Sequence, residues 1–148
     1  MSPREPVPSH DVLRVAAVAL KLGAGPYTWG GRGPLAPRVG LDCSGYVMSV
    51  LRAVGLAPAG ADASTRDMEL WPRVAPDDVR PGDVALRSSG GHVRLVVWPG
   101  YVEADSGGGG RESHPGGRDW PTKGRWPRLF APSTSYNYRR SPWAGGAS

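Results

Sequence analysis

The sequence predicts an α+β fold in which helices come first and an antiparallel sheet follows. Two amphipathic helical patterns, at residues 12–22 and 47–54, precede a series of short β-rich segments that begins at Val84. Hydrophobic residues make up 39% of the 148 positions, enough for one packed centre but not two. A single domain spanning 1–148 is therefore expected, with its core at about 10–140. Residues 1–8, which hold three prolines, and 141–148 read as flexible ends.

Each element has a local reason. Ser9 or Asp11 can cap the first helix, Val12, Val15, Ala16, Ala19 and Leu22 share one of its faces, and Gly23 to Pro26 ends it. Residues 27–42, rich in Gly and Pro, predict an irregular loop that delivers the chain to Asp42 and Cys43. The second helix carries Val47, Val50, Leu51 and Val54 on its apolar face, and Gly55 is placed as its C-terminal cap. Loop with a short helix around Ser64 to Leu70 is expected next. Pro81-Gly82-Asp83 marks a turn into a strand at Val84 to Leu86. His92 to Trp98 is a run of strong strand formers, and Pro99-Gly100 turns it into Tyr101 to Ala104, a hairpin. Residues 106–128 predict a long surface loop, and Leu129 to Arg140 one or two closing strands.

Composition narrows the function without choosing it. Gly and Pro, 22 and 16 residues, make up about a quarter of the chain, roughly twice the usual share. The net charge of +5 suits an anionic partner such as cell-wall polymer, nucleic acid or a lipid surface and selects none of them. The single cysteine rules out an intrachain disulfide and the usual thiolate zinc sites. The apolar run Val12 to Leu20 is interrupted by Arg14 and followed by Lys21, which predicts neither a signal peptide nor a membrane span. The glycine run at 107–110 lacks the surroundings of a phosphate loop. His92, Glu103, Asp105 and His114 fit no metal-ligand spacing, so neither metal nor cofactor is expected.

Cys43 at a helix start is where unpaired backbone N–H groups and the helix dipole favour an anion. Taken alone, a lone cysteine is more often a small buried hydrophobe. His10 and His114 read as surface residues. Trp29, Trp120 and Trp126 fit packing as well as they fit a substrate groove.

Four strings in order change that weighting: Tyr27-Thr28-Trp29-Gly30-Gly31, Leu41-Asp42-Cys43-Ser44-Gly45-Tyr46, Arg80-Pro81-Gly82-Asp83-Val84 and Gly91-His92-Val93. Together they make residues 10–105 resemble the NlpC-type cell-wall cysteine peptidases, a papain-like family. The resemblance implies a catalytic cysteine at the start of a helix packed on an antiparallel sheet, with Cys43 as nucleophile and His92 as general base. It places Tyr27, Asp42 and Ser44 beside the substrate, and Trp29 in the first string is a further candidate for substrate binding. The family's third catalytic group, usually His, Asn or Gln, falls on Glu103 in Tyr101-Val102-Glu103-Ala104, with Asp105 as the rival because alternation puts it on the same face.

The implied activity is hydrolysis of an amide in the peptidoglycan stem peptide, between D-glutamate and the diamino acid, by a monomer with peptidoglycan or muropeptide as its partner. Within the family the alternative is an N-acetylmuramoyl-L-alanine amidase. Outside it, the alternatives are a non-catalytic basic module that binds wall polymer or nucleic acid, or an enzyme that passes the acyl group to an amine. A chain made without a signal peptide would act in the cytoplasm or reach the wall by another route, as a phage lysin or virion component does.

Overall fold

The computed structural model describes residues 9–23, 43–105 and 128–143. The expected lead-in at 1–8, the loop at 27–42 and most of the loop at 106–128 lie outside those residues. Helix α1 spans His10–Gly23. Ser9 is its cap, accepting the Val12 N–H at 3.3 Å. Val12, Val15 and Ala19 are buried, with Ala16 and Leu22 packed against the same core.

Helix α2 spans Cys43–Ala53 and turns Val47, Val50 and Leu51 fully inward. Burying each of these side chains contributes about 1.5–3 kcal/mol. Its end is a Schellman motif. Gly55, at φ +79°, donates its N–H to the Arg52 carbonyl at 3.2 Å, and the Leu56 N–H reaches the Leu51 carbonyl at 2.8 Å. A side chain at position 55 would have to adopt that left-handed conformation, which only glycine takes without strain. Helix α3, Thr65–Met68, is one turn started by a capping box between Ser64 and Asp67.

Among the described residues six strands follow: β1 Arg73–Val74, β2 Val84–Arg87, β3 Val93–Trp98, β4 Val102–Asp105, β5 Arg128–Phe130 and β6 Tyr136–Arg139. They form one antiparallel sheet in the order β1-β6-β2-β3-β4-β5. The expected hairpin is β3–β4, with a register shift between Val96 and Trp98. Val93, Leu95, Val97 and Ala104 join the core beneath α1 and α2. The alternate positions, Arg94, Val96, Glu103 and Asp105, therefore belong to the other side of the pleat. Among the described residues, no helix is long and apolar enough to cross a membrane.

The Arg-Pro-Gly-Asp string is a structural turn. Asp83 is buried, accepts the Arg80 N–H at 2.8 Å, and takes Arg140 Nε and Nη2 at 3.0 and 2.9 Å. Arg140 also donates its backbone N–H to the Pro72 carbonyl, tying β6 back to the segment before β1. The chain does not loosen at 141, as the sequence led us to expect. Ser141 is buried and Trp143 stands edge-on to Trp71 at 5.9 Å, so packing holds the chain through residue 143.

Candidate active site

Cys43 is the first residue of α2, half-buried against the edge of the core. The first turn of that helix is pinned by Tyr46, which is fully buried and donates its hydroxyl to the Ala19 carbonyl of α1 at 2.7 Å. Burial pushes the Tyr46 phenol up, and the negative charge of Asp105 adds to the effect. The Asp105 carboxylate thus lies within electrostatic reach of the Tyr46 hydroxyl.

His92 is set by the tight turn between β2 and β3. The Gly90 N–H bonds the Arg87 carbonyl at 2.8 Å, and the Arg87 N–H bonds the His92 carbonyl at 3.0 Å. The imidazole is largely enclosed, with 14% of the side chain exposed. The Tyr136 ring stands edge-on to it at 6.4 Å. His92 Nε2 lies 2.6 Å from Asp105 Oδ2.

Asp105 ends β4 and is completely buried. Burial alone would raise its pKa, but hydrogen bonds from His92 and Arg128, and their charges, more than offset this and hold the carboxyl below its usual range. An ionised carboxylate can only accept, so the proton of the short contact sits on His92 Nε2. Nδ1 is then the unprotonated ring nitrogen of the neutral histidine. Arg128 completes the group with a two-pronged contact, Nε to Oδ1 at 2.8 Å and Nη2 to Oδ2 at 2.9 Å.

The carboxylate on His92 is therefore Asp105, where the sequence had favoured Glu103. Both project from the same side of β4, but the pairing of Glu103 with Val96 sets it one step further along β3 from His92. Glu103 accepts the Tyr138 hydroxyl at 2.8 Å and faces Arg94 across 3.7 Å. Arg94 in turn lies between the rings of Phe130 and Tyr136, 3.7 and 4.0 Å from their centroids. Burial dominates and raises the Glu103 pKa despite Tyr138 and Arg94. A raised carboxyl contributes stability that is present below its unfolded value of about 4.3 and lost as pH rises through the folded value. At pH 7 the charge of Glu103 is therefore a cost. We expect Glu103→Gln, which keeps an acceptor for Tyr138, to melt at or above the parent temperature at pH 7 and to lose that advantage near pH 4. Glu103→Ala, which strands the Tyr138 hydroxyl, should melt lower at both pH values. Melting curves of the two variants at each pH check this.

Ser44, expected beside the substrate, is almost wholly buried in the first turn of α2. Tyr27, Trp29 and Asp42 lie outside the described residues, as do His114, Trp120 and Trp126. His10 is an exposed residue at the start of α1. Sequence reasoning missed Arg128 and Tyr136. A buried carboxylate requires a countercharge, and the first strand after the long loop was the place to look for one.

Helices followed by an antiparallel sheet make this an α+β fold, with a cysteine at a helix start and a histidine just before strand β3. The NlpC/P60 family model matches residues 23–112, more than half of the chain, and the chain belongs to that family. Among solved structures, it is similar to the NlpC/p60 domain of the peptidoglycan hydrolase SagA. The TM-score is 0.57 at 19% identity, over 88% of this chain and 97% of that one. No curated protein matches the sequence.

Proposed function

We propose that the chain is a cysteine peptidase that hydrolyses an amide bond in the peptide part of peptidoglycan, with Cys43, His92 and Asp105 as its catalytic unit. The observation that carries this is the 2.6 Å contact between His92 and a buried carboxylate, in a chain whose one cysteine opens the helix packed against the same sheet. Membership of the NlpC/P60 family and the likeness to a peptidoglycan hydrolase domain support it.

In this reading Nδ1 of His92 takes the Cys43 thiol proton, and the imidazolium so formed is stabilised by Asp105 through Nε2. The thiolate, favoured further by the α2 dipole, adds to the amide carbonyl. In the same reading the backbone N–H of Cys43, at the helix start, receives the developing oxyanion. His92 then returns its proton to the departing amine, leaving an acyl-enzyme thioester. Water, deprotonated by His92, releases the acid and restores the thiol.

The scissile bond we infer lies between D-glutamate and the diamino acid. Digestion of purified peptidoglycan followed by mass analysis tests it. The expected fragments end in a D-glutamate carboxyl and begin with the diamino acid amine. Release of intact stem peptides beginning with L-alanine would assign the muramoyl amide instead, and undigested wall would remove the hydrolase reading.

The third group is tested by rate. We expect Asp105→Ala to lower kcat by on the order of 10²-fold, because the imidazole loses both its tautomer bias and its countercharge. Glu103→Ala should stay within a few-fold of the parent. Steady-state kinetics of the two variants on one muropeptide decide between the two carboxylates.

A further inference from the structure

Arg128 opens β5 directly across the ladder from Asp105, the last residue of β4. Its guanidinium meets the carboxylate as a fork, at 2.8 Å on Oδ1 and 2.9 Å on Oδ2, and Oδ2 is the oxygen that holds His92 at 2.6 Å. Asp105 is fully enclosed while 45% of the Arg128 side chain is exposed, so the guanidinium covers the carboxylate from the solvent side. A carboxylate turns easily about its terminal torsion, and a single bond to one oxygen does not fix its plane. Two parallel N–H contacts from a rigid planar group do.

We propose that Arg128 is a positioning residue. It locks the plane of the Asp105 carboxylate, and through Oδ2 it fixes the rotation of the His92 ring that presents Nδ1 to Cys43. This inference rests on the reading of Cys43, His92 and Asp105 as the catalytic unit. Arg128 itself does not enter the bond-making steps. A lysine at this place would supply the charge but not the fork, so charge and geometry can be separated by substitution.

The test uses the full chain with Arg128→Ala and Arg128→Lys, read by steady-state kinetics on a muropeptide and by the proton NMR signal of the His92 ring N–H. The chain has three histidines, so comparison with His92→Ala assigns that signal. Arg128→Ala is expected to lower kcat by roughly 10- to 100-fold with KM within about twofold, and to broaden or erase the ring N–H signal. Arg128→Lys is expected to recover part of kcat and a weakened signal. Parent-like kcat together with an intact signal in Arg128→Ala would overturn the proposal. So would a rise in KM at constant kcat, which would make Arg128 a substrate contact. If the parent itself shows no turnover, the functional reading fails. The ring N–H signal, lost or kept in Arg128→Ala, still decides whether Arg128 holds the imidazole.

Discussion

Replacing Cys43 by Ala is expected to lower kcat on peptidoglycan fragments by at least about 10⁴-fold, a barrier increase of about 5 kcal/mol. Methyl cannot supply a thiolate, and no acyl-enzyme can form without one. The fold should survive. Cys43 sits half-buried at the start of α2, and the helix is anchored elsewhere, by Val47, Val50 and Leu51 in the core and by Tyr46 on the Ala19 carbonyl. Loss of a partly exposed sulfur therefore removes little packing. Melting temperature and activity measured on one preparation should separate, the first unchanged within a few degrees and the second gone.

Replacing His92 by Ala is expected to cost about 10³-fold or more in kcat, because the same ring takes the thiol proton and protonates the leaving amine. The residual rate should rise with pH as more of the thiol ionises without help. The substitution leaves Asp105 still paired with Arg128, so the buried carboxylate keeps a countercharge and the fold should hold. A pH–rate profile of His92→Ala against the parent checks both the size of the loss and the changed slope.

The helices and the hairpin were legible because their signals are local. The 3.6-residue spacing of Val47, Val50, Leu51 and Val54 is a burial pattern whatever surrounds it, and Gly55 ends the helix by its own conformational freedom. Strand β1 was not legible, since Arg73 and Val74 form a strand only through pairing with Arg139 and Tyr138, far along the chain. Which of Glu103 and Asp105 stands against His92 was not legible for a related reason. Alternation puts both on one side of β4, and which of them reaches His92 depends on how β4 registers against β3, including the shift between Val96 and Trp98. Arg128 was out of reach because its partner lies 23 residues earlier. The order of the four strings carried the family assignment, yet one of them, the turn at Asp83, proves to hold β6 in place through Arg140.

The account turns on whether Cys43 is activated by His92 and Asp105, and the single cysteine makes this directly measurable. Labelling with iodoacetamide at about pH 6.5, followed by intact mass, reads the reactive thiolate with no competing site; an unactivated thiol is only about 1% ionised there. The account predicts rapid labelling of the parent and of Glu103→Ala, and labelling slowed at least about tenfold in His92→Ala and Asp105→Ala. A parent that reacts no faster than a small-molecule thiol, with all four proteins indistinguishable, would contradict it.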